Sequence, residues 1–344
     1  MVIKIANIYW LLAYAWDFWA DGEVVDIAAL RTGDTTNLLA MLLNIGTRRA
    51  IRRGLHQDYQ TQEIDLAGIR GRPLLGESER RMLLSRGYMH CAFDELNHAS
   101  LANRIIKSTL ERVIGAAGLD AGLQLEIGTT LRELRPIPSL RVDGDAFRRV
   151  RTSRSNTHYQ LLVSICELIY LTETPSRQSG KIRFRDFCQD EVIMHALFEE
   201  FVRNFYHAHA LEKGMTCLGA KKVAWDAVPS SKTPGGLLPE MRTDVSLEGP
   251  LRHMIIDCKF YPEALTGRFT LKLRSDHLYQ LWTYVSQQRK VEEWRECEGL
   301  LLYPTSGVNL DLEYTVDGQR IRAATVDLGA DWSAIRKHLV DLLD

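Results

Sequence analysis

The chain has 344 residues, 45% of them hydrophobic, and its 43 Lys and Arg against 44 Asp and Glu leave a formal net charge of −1. That length and apolar content provide globular cores for about two domains. Near neutrality argues against a free-standing, strongly basic DNA binder, so any grip on nucleic acid lies in local patches or on a partner. The six cysteines, Cys91, Cys166, Cys188, Cys217, Cys258 and Cys297, show neither CxxC pairing nor zinc-ligand spacing, and no signal peptide is recognisable, which suits a reduced cytoplasm.

Residues 8–19 are apolar, but they are too short to span a membrane and are interrupted by Asp17, so they predict a buried element. Over residues 38–53, Leu38, Leu39, Leu42, Leu43 and Ile45 recur at helical spacing. Arg48, Arg49, Arg52 and Arg53 follow where cations suit a helix C-terminus, and Gly54 is a natural stop. Residues 57–64, 69–74 and 88–93 read as short strands among Gly and Pro, a small sheet or barrel. Arg70 and Arg72 flank Gly71 and share a side if the backbone is extended, which suits a phosphate or a partner carboxylate; a solvated edge strand is the plainer alternative.

Helices are predicted over 101–116 and 121–134. The helical signal then lapses over 136–156, where Arg141, Arg148, Arg149, Arg151 and Arg154 make the most basic stretch of the chain. We place the domain boundary there, as a solvated connector or a contact to DNA backbone. An apolar helix over 159–170 and strand alternation over 181–187 precede a long helix over 190–209, with Ala196, Leu197, Phe201 and Phe205 as its buried stripe. Histidines 195, 207 and 209 do not converge at helical spacing. Residues 299–303 read as a buried strand, 315–327 as a hairpin about Asp317 and Gly318 with a further strand, and 332–343 as a closing helix. No G-x-x-x-x-G-K-[ST] occurs, the nearest approach being residues 214–221, so nucleotide hydrolysis is not expected of this chain alone.

The chemistry concentrates in residues 241–260, MRTDVSLEGPLRHMIIDCKF, two short strands joined at Glu248, Gly249 and Pro250. Strand alternation points Asp257 and Lys259 one way and Met254, Ile256, Cys258 and Phe260 the other. With Gly249 and Pro250 as a two-residue loop, Asp244 falls opposite Ile255 and shares the face of Asp257 and Lys259; a slip of one residue would send it to the apolar side. Two carboxylates so placed repel unless a cation sits between them, and hard oxygen ligands suit Mg²⁺. A lysine beside such a metal can orient or help deprotonate water and offset charge on a phosphodiester in transition. Downstream, Gln280 and Tyr284 lie four apart on one helix face.

This D…DxK…QxxxY set resembles the PD-(D/E)xK nuclease superfamily, with Thr243 in place of the proline that names the motif. The resemblance implies that Asp244 and Asp257 are metal ligands, that Lys259 is the catalytic lysine, and that Gln280 and Tyr284 support the site or contact DNA. Nucleases of this kind often carry an acid on the helix before the core sheet, which makes Glu199 a candidate third metal ligand beside its reading as a solvated helix residue. The whole chain further resembles the McrC family of nuclease subunits of McrBC modification-dependent restriction systems. Residues 7–16 (NIYWLLAYAW), 68–72 (GIRGR), 101–110 (LANRIIKSTL) and 238–244 (LPEMRTD) carry that likeness.

The expected fold is α/β, a C-terminal PD-(D/E)xK core with a mixed sheet flanked by helices over residues 156–344. An α+β N-terminal domain over residues 1–155 is expected to engage and stimulate the partner. The family implies a GTP-hydrolysing AAA+ partner resembling McrB, cleavage of methylcytosine-containing double-stranded DNA with Mg²⁺, GTP held by the partner, and no membrane. Two other readings stay open: a stand-alone repair or recombination nuclease, and a non-catalytic GTPase activator.

Overall fold

The structure is a computed structural model, described here for residues 3–17, 34–151, 157–174, 182–228, 237–261, 265–266, 272–305 and 309–344. The chain divides into two compact units, one of Leu30–Arg185 and the other of Met1–Ala29 together with Asp186–Asp344.

Helix α1 (Ile5–Ala15) belongs to the second of these and is buried along most of its length, which accounts for the apolar run in residues 8–19. Among the described residues no helix is long and apolar enough to cross a membrane. In the other unit, α2 (Thr35–Arg53) starts at Asp34, whose carboxylate accepts from Asn37 N, and stops at Gly54, held at φ 91°.

Strands β1 (Asp58–Leu66), β2 (Arg72–Pro73) and β3 (Met89–Asn97) form an open antiparallel sheet of order β1-β3-β2, with the short helix α3 (Leu75–Arg80) between β2 and β3. The expected strand over 69–74 shrinks to two residues. Gly71 sits at φ 67°, where a Cβ would come within 2.5 Å of the Ala92 carbonyl, so the backbone turns there. Arg70 and Arg72 are therefore not related by strand alternation, and the same-side argument fails. Arg70 instead lies over the Phe93 ring at 4.0 Å.

Helices α4 (Leu101–Val113), α5 (Ala121–Glu133), α6 (Gly144–Arg151) and α7 (Thr157–Thr172) follow, and a short hairpin of β4 (Glu173–Thr174) and β5 (Arg183–Phe184) completes the unit. Over its described residues, 136–151, the basic stretch is thus not a connector. Ala146 and Phe147 are buried, and Phe147 packs on Tyr170, so the arginines of α6 ride on a helix that belongs to the α4–α7 bundle. Three cations in eight residues hid two apolar anchors. The boundary between compact units accordingly falls at Arg185 and Asp186 rather than near residue 155.

The second unit resumes with α8 (Glu191–His209), capped by Asp190, then β6 (Thr216–Gly219), β7 (Lys222–Val223), β8 (Met241–Arg242), β9 (Val245–Glu248) and β10 (His253–Cys258). It continues through β11 (Leu265–Thr266), β12 (Lys272–Leu273), α9 (Ser275–Gln288), β13 (Cys297–Pro304), β14 (Asp311–Val316), β15 (Gln319–Val326) and α10 (Trp332–Asp341). Six strands make one mixed sheet in the order β14-β15-β13-β10-β9-β6, with β10, β13 and β15 parallel and β14 and β9 antiparallel to their neighbours. The turn at Asp317 and Gly318, both at positive φ, gives the expected two-residue hairpin.

Helices flank this sheet. Leu281, Tyr284 and Val285 of α9 close over Ile255, Leu301 and Ile321 on one side. On the other, Phe198 of α8 meets Phe260 just beyond β10. β10 is buried throughout, as suits a central strand covered on both faces. Helix α1 packs on α8: the Asn204 amide donates to the Tyr14 and Ala15 carbonyls, and Trp10 stacks on Trp332 at 5.1 Å.

Candidate active site

Asp257 stands near the end of β10 and Lys259 just past it. By strand alternation both project to the α9 side, with Ile255. The hairpin that brings Asp244 to them differs from expectation. Residues Gly249, Pro250, Leu251 and Arg252 form the connection, closed by Gly249 N donating to the Arg252 carbonyl at 2.9 Å, and His253 pairs with Glu248. The register is displaced by two residues from the predicted one. Because side-chain direction repeats every two residues, this preserves the face and shifts the position opposite Asp244 from Ile255 to Asp257. Asp244 lies in the bend before β9, and its Oδ2 accepts from the Cys258 amide at 2.7 Å. Thr243, where the superfamily pattern has proline, exchanges hydrogen bonds with Lys221 and lies 2.8 Å from the Ser246 hydroxyl, fixing the approach to the bend.

Asp257 is 0% exposed. Its Oδ2 is 2.8 Å from the Lys259 ammonium, and neither carboxylate oxygen accepts any other hydrogen bond among the described residues. Burial, with the Glu199 charge adding to it, raises the Asp257 pKa even though Lys259 opposes the shift. Asp244 is pushed up to about 7, by burial first and then by the Asp257 and Glu199 charges, against the pull of the Cys258 amide and Lys259. Two buried carboxylates that resist ionisation, one with an oxygen lacking any donor, form a donor set of hard oxygens short of positive charge, and a divalent cation fits it.

Lys259 is 7% exposed, and its ammonium donates to Gln280 Oε1 at 3.1 Å while Gln280 Nε2 donates to the Tyr284 hydroxyl at 2.9 Å. Burial disfavours the lysine's charge, but the Asp257 carboxylate outweighs it and holds the pKa above the ordinary lysine value. The Q-x-x-x-Y spacing of α9 thus makes a relay that fixes the ammonium. Tyr284 is buried.

Glu199 lies on α8 close enough for its charge to raise both aspartates, but its carboxylate is taken by Arg203. No set of three His, Cys, Asp or Glu side chains stands ready to hold a metal ion among the described residues. Of the three helix histidines, His195 alone reaches the site. Its Nδ1 accepts from the Phe260 amide at 3.3 Å, which leaves the proton of the neutral ring on Nε2, and burial followed by the Lys259 charge lowers its pKa. His209 instead bonds Tyr14 and Glu212. The sequence did carry a signal for His195: it lies one turn before Glu199, on the same face. His277 and Tyr303, hydrogen-bonded at 3.0 Å, form a further buried polar pair beside Asp257, and burial takes His277 down to about 4.

The McrBC 5-methylcytosine restriction system component family matches residues 11–304. The chain is also 31% identical, over all 344 residues and 98% of the relative's length, to the type IV methyl-directed restriction enzyme EcoKMcrBC of Escherichia coli K12. The chain belongs to the McrBC restriction component family. Among solved structures it is similar to one of Thermococcus gammatolerans McrB AAA+ hexamers with bound McrC, taken from a tetradecameric assembly. There the TM-score is 0.52 at 18% identity, covering 97% of this chain and 75% of the other, a likeness of fold. Within this family member, the sheet, the hairpin and α9 bring Asp244, Asp257, Lys259 and Gln280 to one place, with Tyr284 behind them and Glu199 at the margin.

Proposed function

We propose that this chain is the endonuclease subunit of a GTP-dependent restriction complex. It would hydrolyse phosphodiester bonds of methylcytosine-containing double-stranded DNA and stimulate an AAA+ GTPase partner resembling McrB. The observation that carries the proposal is the Asp257 carboxylate, fully buried, with one oxygen lacking any donor, beside Asp244 and the fixed Lys259 ammonium. Family membership supports the restriction setting. The methyl-directed relative and the McrB hexamers with bound McrC support the substrate and the partner.

In this reading Asp244 and Asp257 would hold Mg²⁺, with Glu199, paired with Arg203, as the candidate third ligand. The ion, when bound, supplies a Lewis acid that draws charge from the phosphate and acidifies water. Lys259 contributes as a cation: with its pKa raised it is a poor base, so it donates a hydrogen bond and offsets charge on the phosphate. Gln280 and Tyr284 hold that ammonium in line, and His195 presents an Nε2 proton donor at the edge. The Leu30–Arg185 unit contains none of these residues, and we assign to it the engagement and stimulation of the partner, with Arg70 and Arg72 as candidates for the contact.

The test is cleavage of a cytosine-methylated plasmid by this chain with its genomic neighbour, with and without GTP, Mg²⁺ and chelator. Cutting that requires all components supports the proposal. Metal-dependent cutting by the chain alone would make it a stand-alone nuclease, and GTPase stimulation with no cutting under any condition would make it an activator.

A further inference from the structure

Arg203 lies one helical turn beyond Glu199 on α8, and its side chain is 16% exposed. All three guanidinium nitrogens are engaged. Nε donates to the backbone carbonyl of Asp244 at 3.0 Å, one terminal nitrogen to Glu200 Oε1 at 2.7 Å, and the other to Glu199 Oε1. The stem of the side chain is seated as well. β6 bulges between Cys217 and Gly219, and Gly219, at φ 69°, is a position where a Cβ would meet His207 at 3.3 Å and the Arg203 Cδ at 3.8 Å. The Cys217 thiol donates to the Arg203 carbonyl at 3.7 Å.

Asp244 sits in a bend, outside the sheet ladder, so its carboxylate is only as well placed as that segment of backbone. Two bonds fix it: the carboxylate to Cys258 N, and the carbonyl to Arg203. The same guanidinium holds the candidate third acid, Glu199, beside the site. The planar fork holds its donors in fixed directions toward a carbonyl and two carboxylates, which a lysine ammonium with its rotating donors does not.

We infer that Arg203 is a positioning residue that sets the divalent-metal affinity of the cleavage site by bracing the Asp244 backbone and holding Glu199 in reserve. The inference rests on the reading of Asp244 and Asp257 as metal ligands. Outer-shell partners of metal ligands are typically worth about 10- to 100-fold in affinity, and Arg203 stands in that relation to Asp244 and Glu199.

The test is calorimetric titration of the full chain with Mn²⁺, comparing wild type, Arg203→Met, Arg203→Lys and Asp257→Asn, with thermal melting in chelator as the check on folding. The expected result is loss of binding in Asp257→Asn, a rise in Kd of about tenfold or more in Arg203→Met, and partial recovery in Arg203→Lys. An Arg203→Met protein that is folded and binds Mn²⁺ as tightly as wild type, or more tightly, overturns the inference. Should Arg203→Met fail to fold, Arg203→Lys, which keeps the charge and most of the stem, decides it: unchanged affinity there overturns the inference too. Undiminished binding by Asp257→Asn brings down the metal-site reading itself, whereas loss in Asp257→Asn with wild-type affinity in folded Arg203→Met brings down the role of Arg203 alone.

Discussion

Replacing Asp244 by Asn should make the metal-free protein more stable at pH 8 while abolishing cleavage. The folded state pushes this carboxyl from 3.8 up to about 7. At ~1.4 kcal/mol per pH unit, holding it ionised at pH 8 costs the native state roughly 4 kcal/mol relative to the unfolded chain. Asparagine keeps an oxygen for the Cys258 amide and removes the charge. Lys259 loses part of its attraction to carboxylate in exchange, so a net gain of ~1–3 kcal/mol is expected, at roughly 2–4 °C per kcal/mol for a unit of this size. The sign follows from the raised pKa. Between about 4 and 7 the native state binds more protons than the unfolded state, so wild-type stability falls as pH rises through that window. The advantage of Asp244→Asn should therefore be near zero at pH 4, grow between, and be complete at pH 8. Melting both proteins across that range in chelator, then with Mg²⁺, measures this, and Mg²⁺ should raise the wild-type melting temperature only. A gain of equal size at pH 4 and pH 8, or no gain at pH 8, would refute the reasoning.

Three further outcomes are expected. Asp257→Ala should eliminate DNA cleavage while stimulation of partner GTP turnover stays within twofold of wild type; normal cutting by this variant would sink the site assignment. Lys259→Ala should still bind Mg²⁺ by calorimetry but lose cleavage by about 10²-fold or more, and simultaneous loss of binding would make the lysine a structural element of the metal site. The fragment Leu30–Arg185, chosen on the observed unit boundaries, should stimulate GTP turnover by the partner without the rest of the chain, and Arg70→Ala and Arg72→Ala should weaken it. A folded fragment without effect removes the division of labour, while arginine variants that behave as wild type remove only the choice of residues.

The arrangement of the candidate site was legible in the sequence because its parts are local. Asp257 and Lys259 share a strand face by alternation, and Gln280 and Tyr284 share a helix face by their four-residue spacing. The position of Asp244 depended on a turn, and the prediction of its face held because an error of two residues leaves strand parity intact. What was hidden depended on tertiary partners. Arg203 reads as one more cation on a helix face until the Asp244 carbonyl is folded against it, and the tie of His195 to the site depends on the Phe260 amide that meets its ring. Phe147 and Ala146 were outnumbered by arginines, and so a packed helix was mistaken for a linker.

The stacking of Trp10 on Trp332 has a bearing on how the protein is made. Helix α1 is synthesised before the aromatic face that receives it, on α8 and α10. At ~5–20 residues per second, some tens of seconds separate the two rings in translation, and during that interval the whole compact Leu30–Arg185 unit is made. The unit that holds the candidate site therefore closes around α1 only once α10 has been made. For the DNA cleavage proposed above, that order delays the activity until α10 is in place.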